Sequence, residues 1–474
     1  TPPPTPPPPP PTPPRPPLAP GSQWVITMAE LVAAVSDGTV DKIVVASGTY
    51  EFGTDMAGCG SYPAALCINR AVTIEAEVEG GVVLDGMDAR RIITVDSGGT
   101  ADLVGLNITR GYVSAVGGGL TVGSGGTANL DGCNVFDNVA QGNGGGVYID
   151  GTATLANTNV YDNQATDDGG GLYVWGTATL TNTNVYTNQA SGYGGDCAGG
   201  LRIDGTAKLI DSNVYSNKAR YGAGLTVGNG GVANLDGCNV FSNEAHFGGA
   251  GLYIEDGAVA NLDGCQVYEN QATTGGGGLY IIGTATLTNT NVFSNEAYSG
   301  DQLYLDGAFT AISCMFSYRA GSDVALIYMT SASQPTFENC TFNAAAGTPA
   351  DARFIYAAGV SIDYGNCTPG STPGEAGANV LVADAGNFTG CPLRCPIGTS
   401  GPGGPTDALR AIDSGCGVGC ETCPAGAVCD APGLPAPVTC TAGHYNPDRG
   451  SQTSGSCRPC ESGSYQTETA ALAC

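Results

Sequence analysis

The sequence predicts an all-β solenoid, on three observations. Between Gly117 and Ala297 one phrase is written seven times: a glycine cluster, a short Leu-Tyr-Ile-like strand, Gly-Thr-Ala-Thr-Leu, then Asn-Val-Tyr-x-Asn. Aligned on the valine of the last phrase (Val135, Val160, Val185, Val214, Val240, Val267 and Val292), the copies lie 25, 25, 29, 26, 27 and 25 residues apart. Within each copy, apolar and polar residues alternate as strands require. A period of this size marks units that cannot bury a core alone and must stack on their neighbours.

Composition sets the setting. The 474 residues include 75 Gly and 16 Lys plus Arg against 43 Asp plus Glu, a net charge of −27. Nucleic-acid recognition needs a basic footprint, so no nucleic-acid partner is expected. Nineteen cysteines, dense after Cys367, point to an oxidising compartment and an extracellular or cell-surface location. No apolar run approaches the roughly 20 residues that span a bilayer, so no direct membrane insertion is expected. The odd cysteine count and the stop at Cys474 lead us to expect further sequence beyond both ends.

Residues 1–20 hold fourteen prolines with Thr1, Thr5 and Thr12. Such a run forms a stiff polyproline II arm of about 3.1 Å per residue and builds no core. The segment resembles the hydroxyproline-rich glycoproteins of algal and plant extracellular matrices. That resemblance implies hydroxylation and O-glycosylation over Pro2, Pro3, Pro4, Thr5, Pro6, Pro7, Pro8, Pro9, Pro10, Pro11, Thr12, Pro13 and Pro14.

From Trp24 to Ser36, Leu31, Val32 and Val35 fall at i, i+1 and i+4, a short amphipathic helix. It leads into Lys42-Ile-Val-Val-Ala-Ser-Gly-Thr-Tyr50. A helix followed by a strand and Gly-Thr-Tyr resembles the opening cap of right-handed parallel β-helix proteins, which shields the first coil's interior and free strand edges. Cys59 and Cys67 are expected to pair across a loop. Residues 21–391 are then read as a right-handed parallel β-helix of about fourteen coils, about 65 Å long.

In the copy Gly171 to Ala190, alternation turns Leu172, Val174, Ala178, Leu180, Thr183 and Val185 inward, and Tyr173 and Tyr186 outward. Asn138, Asn163, Asn188, Asn217, Asn243, Asn270 and Asn295 recur at one corner, where stacked amides form a structural ladder. Asn-Val-Phe-Asp-Asn followed by Gly-Gly-Gly-Val resembles the FxxN and GGAI repeats of chlamydial polymorphic outer-membrane proteins, with valine at the phenylalanine position. This resemblance covers roughly residues 108–306 and implies a parallel β-helix at a cell surface. Cys238 and Cys265 stack on adjacent coils, as do Cys314 and Cys340. Each pair reads as a disulfide or as two buried thiols.

Beyond Cys391 the chain changes to Cys-Pro-x-x-Cys, Cys420-x-x-Cys423 and Cys457-x-x-Cys460, with Cys440-Thr-Ala-Gly-His-Tyr and Cys460-Glu-Ser-Gly-Ser-Tyr. Residues 392–474 resemble ephrin-receptor-like and tumour-necrosis-factor-receptor-like cysteine-rich repeats. The resemblance implies Cys440–Cys457 and Cys460–Cys474 bridges; zinc is the rival reading of paired CxxC motifs.

Catalytic chemistry is weakly supported. Asp167-Asp168 sits in a variable glycine turn, and the only histidines are His246 and His444. Arg110, Arg202 and Arg220 have no recurring acidic partners, and the polygalacturonase Gly-His-Gly phrase is missing. No enzyme and no cofactor are expected. Calcium is the one candidate ion, at the Asp-Gly turns of Asp131, Asp150, Asp204, Asp236 and Asp263, which without the GGxGxDxUx nonapeptide read first as ordinary turn residues.

Two outward aromatic stripes stand out instead. One runs Phe136, Tyr161, Tyr186, Tyr215, Phe241, Tyr268, Phe293; the other includes Tyr148, Tyr173, Tyr253, Tyr280 and Tyr304. They serve either as sheet-stabilising stacks or as a contact surface. N-glycosylation sequons stand at Asn107, Asn339, Asn366 and Asn387.

The expected function is a structural glycoprotein subunit of an extracellular filament, sheath or flagellar-hair-like appendage. Its partners would be copies of itself and attached glycans, met through the proline arm and the β-helix faces. A cell-surface adhesin or glycan-binding protein is the alternative, and a polysaccharide lyase or hydrolase comes third.

Overall fold

A computed structural model describes residue 15, residues 17–53, 64–192 and 198–317, most of 319–343, and short strands beyond. The proline arm before Arg15 and the remaining masked positions lie outside the described residues. Parallel strands wind into a β-helix, and each repeat contributes four short strands. In one coil these are Thr177–Thr181 (sheet I), Asn184–Tyr186 (sheet II), Gln189–Ala190 (sheet III) and Leu201–Ile203 (sheet IV).

Among the described residues sheets I, II, III and IV hold 15, 13, 7 and 12 strands. Every register is direct, so Val160 lies on Val135 and Val185 on Val160. The regular solenoid makes about 10 turns, against the fourteen expected over residues 21–391. The longer strand counts of sheets I, II and IV include the N-terminal cap strands and short strands past Asn343, and most residues past Asn343 lie outside those described.

The cap differs from its sequence reading in one respect. Ser22–Val25 is a strand paired with Lys42–Val45, and the helix begins only at Met28, running to Ser36. Val25 is wholly buried in the first rung, and burial in a sheet overrides helical periodicity. Thr27 caps the helix: the Glu30 amide donates to its hydroxyl at 3.2 Å, and the Thr27 amide donates to the Glu30 carboxylate at 3.2 Å. Leu31, Ala34 and Val35 then close the end of the core.

The interior is as the alternation requires. Leu172, Val174, Ala178, Leu180, Thr183 and Val185 are buried, and the repeats share one continuous core. At the corner after sheet II, the Asn138 to Asn295 amides form an unbroken ladder. Each Nδ2 donates to the next Oδ1 at 2.9–3.0 Å and also to a backbone carbonyl of the preceding coil. Gln302 accepts from Asn295 at 2.6 Å and takes the place of an eighth asparagine.

The stacked cysteines take the second of their two expected forms. Cys133, Cys238, Cys265, Cys314 and Cys340 are buried free thiols. In-register parallel strands sit about 4.8 Å apart. That spacing lies within the range a disulfide accepts, and of the two alternatives the structure holds Cys238 with Cys265, and Cys314 with Cys340, as buried thiols. The Cys238 hydrogen bond and burial push the Cys265 thiol up. Cys67 is disulfide-bonded; Cys59 lies outside the described residues, as do Cys440, Cys457, Cys460 and Cys474. Beyond residue 391 three short antiparallel pairs occur, the last joining His444–Tyr445 to Arg458–Pro459.

Candidate functional site

A ladder is satisfied by its own copies, so the informative residues are those that break it. Sheet II does not break. Its rings from Phe136 to Phe293 stack at centroid distances of 4.8–5.0 Å with planes 2–7° apart. Ring faces are spent on one another and only half-buried edges meet solvent. This stripe stabilises the sheet and offers no face to a sugar. Beside it runs an outward amide ladder that the sequence reading missed: Asn107, Asn134, Asn159, Asn184, Asn213 and Asn239, linked at 2.8–2.9 Å. The sequon residue Asn107 is its first member, and its Nδ2 donates to the Gly80 carbonyl at 2.8 Å. Asn339 sits exposed at a corner; Asn366 and Asn387 lie outside the described residues.

Sheet IV does break. Its outward column reads Tyr148, Tyr173, Arg202, Thr226, Tyr253, Tyr280, Tyr304, Tyr328. Tyr173 and Tyr253 are buried although they point outward, because neighbouring rings and glycine turns cover them. Arg202 replaces a ring with a clamp. Its Nε donates to Asp204 at 2.7 Å, and a terminal nitrogen reaches past the coil of Thr226 to Glu255. The Tyr173 hydroxyl donates to the other Asp204 oxygen. Gly228 makes room, since a Cβ there would lie 1.8 Å from Asp204 Oδ1.

Burial opposes the Arg202 charge, but Asp204 and Glu255 outweigh it and push the guanidinium up. Burial first, and then the bond to Asp204, push the Tyr173 phenol up. Every charge in this cluster has a partner within it.

At the corner after sheet IV, the position held by Asp150 and Asp204 on adjacent coils is Trp175. Its indole is 57% exposed and meets no other ring among the described residues. Beyond the Ala of sheet III, the turn position reads Gln141, Thr166, Ser191, Arg220, His246, Thr273 and Tyr298 in successive coils. The turns of Arg220 and His246, with Gln189 to Gly192, line a hollow of about 390 Å³ that also takes in Lys218 and Phe247. Arg220 lies over the Phe247 ring at 4.8 Å. Phe247 stacks on Tyr221 at 5.0 Å, and Tyr221 meets Tyr253 at 5.3 Å, joining the hollow to sheet IV.

The Asp-Gly turns do not gather. Asp131 and Asp263 accept from Asn157 and Asn289 at 2.9 and 3.1 Å, and Asp204 belongs to the clamp. Among the described residues no three His, Cys, Asp or Glu side chains come together as a metal site. Asp168 donates its amide to Asn143 at 3.0 Å in a glycine turn. A signal for the departures was available in the sequence: from Arg110 to Arg319 the only intervening lysines and arginines are Arg202, Lys208, Lys218 and Arg220. They share the repeat with the longest gap, 29 residues.

The family model described as right handed beta helix region matches residues 199–372. No curated protein matches the chain. Among solved structures, the mannuronan C-5 epimerase AlgE4 A-module of Azotobacter vinelandii is similar at 13% identity and a TM-score of 0.44, over 76% of this chain and 93% of that one. PfbA, a surface adhesin of Streptococcus pneumoniae, is similar at 7% identity and a TM-score of 0.32, over 76% and 86%. At that distance neither bears on activity. The strand registers make this chain a parallel β-helix, and its residues 199–372 match the right-handed beta helix region model.

Proposed function

We propose that the protein is a non-catalytic extracellular surface protein whose β-helix binds a polysaccharide. Trp175 carries the reading. In a body where the ladder rings cover one another's faces, this indole stands open at a corner, as the smaller Tyr298 ring does at a turn. An exposed aromatic face is costly in water and suits the apolar face of a sugar ring. Asp150 and Asp204 occupy the same corner on the coils to either side, and Arg202, Asp204, Glu255 and Tyr173 are saturated by one another. That arrangement supports binding without turnover. The repeat's likeness to chlamydial surface proteins and the cysteine-rich tail agree with an extracellular setting. Among the described residues no helix is long and apolar enough to cross a membrane.

Fluorescence titration of the purified chain with soluble polysaccharides tests the reading. The chain has two tryptophans, and Trp24 lies beneath Arg15 at 4.9 Å, so the ligand-dependent signal belongs to Trp175. Trp175→Ala should lower affinity about tenfold or more, or ~1.4 kcal/mol, and no cleaved or unsaturated sugar should accumulate. Silence across a broad polysaccharide panel, or product formation, would sink the idea.

A structural subunit of an extracellular filament, sheath or flagellar-hair-like appendage is the second reading. Its support is the straight, half-buried ring edge of sheet II, which runs over seven coils and which a second copy could match. Electron micrographs of the concentrated full chain showing only single rods would reject it.

A further inference from the structure

We infer that the hollow over turns 189–192, 218–220 and 246–247 is a subsite for a single oxyanion, carboxylate or sulfate, on an otherwise uncharged saccharide. This rests on the polysaccharide reading above and names the chemical class bound.

Charge is the first argument. The chain carries −27 overall, yet Lys218, Arg220 and His246 converge on this one hollow. No other coil among the seven repeats places a basic side chain at these turn positions: the equivalents are Gln141, Thr166, Ser191, Thr273 and Tyr298. Electrostatic complementarity of this kind selects and steers an anion.

Geometry is the second. About 390 Å³ lies within the range of small-ligand pockets, about 300–1,000 Å³, and admits a short saccharide. Arg220 is held flat over Phe247 at 4.8 Å, with Tyr221 stacked on that ring at 5.0 Å and His246 edge-on to it at 4.7 Å. A guanidinium fixed against a ring presents its planar fork in one orientation, the form suited to bidentate carboxylate or sulfate recognition. Lys218 pairs with Glu244 at 2.7 Å, but both side chains are mostly exposed. Such a pair contributes little and re-pairs readily.

The surroundings set the charge density of the ligand. Outside the one copy that carries Arg202, Lys208, Lys218 and Arg220, the repeats from Gly117 to Ala297 contain no lysine or arginine, so a polymer charged on every sugar is repelled on both sides of the hollow. An isolated or terminal acidic group on a neutral saccharide gains the local attraction without that penalty.

Calorimetric titration of the full chain tests this with four ligands: a neutral oligosaccharide, the same one with a single terminal uronate, the same one with a single sulfate, and a fully uronated oligomer. The singly acidic forms should bind about tenfold tighter than the neutral parent at low salt, and the advantage should shrink as salt rises. The two singly acidic arms separate carboxylate from sulfate recognition. The fully uronated oligomer should bind more weakly than the singly uronated one. In K218Q/R220Q the advantage should vanish while neutral binding and the thermal unfolding midpoint stay unchanged. Arg220→Lys, which keeps the charge, should retain part of it. Equal binding of neutral and acidic forms by the wild type would overturn the subsite and leave the polysaccharide reading standing. So would an advantage that survives K218Q/R220Q. If no saccharide binds, both fall.

Discussion

Asn188→Ala should cost far more than Asn184→Ala, although the two residues sit four apart and each donates to an asparagine ladder. Asn188 is wholly buried. Its Nδ2 donates to the Val160 carbonyl at 2.9 Å and to Asn217 Oδ1 at 3.0 Å. Its Oδ1 accepts from the Asn163 amide at 3.1 Å and from Asn163 Nδ2 at 3.0 Å. Removing the side chain strands the Val160 carbonyl and the Asn163 amide away from water. Two orphaned buried groups cost about 3–5 kcal/mol together. Asn184 donates to Asn159 at 2.8 Å on the half-buried outer face, where water replaces the lost partner, so its cost should stay below about 1 kcal/mol.

Urea unfolding combined with hydrogen exchange measures both variants. A solenoid couples mainly to nearest neighbours, so Asn188→Ala should speed exchange in the coils of Asn163 and Asn217 more than in the coil of Ile74. Equal costs for the two variants, or an exchange increase spread evenly along the axis, would refute the reasoning.

Two further outcomes follow from the outer faces. Burial, then the neighbouring Tyr161 and Tyr215, push the Tyr186 phenol up to about 12, against about 10 in the unfolded chain. The neutral phenol therefore supports folding fully below pH 10, and that support is lost as pH rises through 12. The melting temperature should fall across this interval, and less so in Tyr186→Phe, as read by circular dichroism. Arg202→Met should lower stability by about 3–5 kcal/mol in chemical denaturation, because it leaves Asp204 and Glu255 buried without a counter-charge.

The core was legible because a period of about 26 residues, once aligned on its valine, fixes which side chains face inward. The Asn138 to Asn295 ladder followed from the same alignment. Sheet IV was legible only in part: its tyrosines from Tyr148 to Tyr304 were seen as a stripe, but the glycine turn before it varies in length and hid Arg202 and Thr226 as members of the same column. Glu255 stands 53 residues from Arg202 in sequence, and only direct stacking brings it near. Periodicity placed the sheet II rings outward but could not say that their faces would be covered. The cysteine pairs show the same limit: spacing set them on adjacent coils but left open whether they would stand as thiols or as disulfides.

In a stacked array each side chain has two copies of itself for neighbours, so one break forfeits two contacts. Replacing a tyrosine by Arg202 forfeits stacking with Tyr173 on one side. The next coil needs Thr226 in the column and Gly228 at the corner before Arg202 can reach Glu255. Departures of that cost, if they served stacking alone, would have no reason to fall together. Here the clamp, the longest repeat gap, the four basic residues and the hollow share one coil and its neighbours, and Trp175 stands at the corner beside them. Uniform coils suffice for a beam. Concentrated exceptions require a second demand on the same stretch, and a ligand held there supplies one.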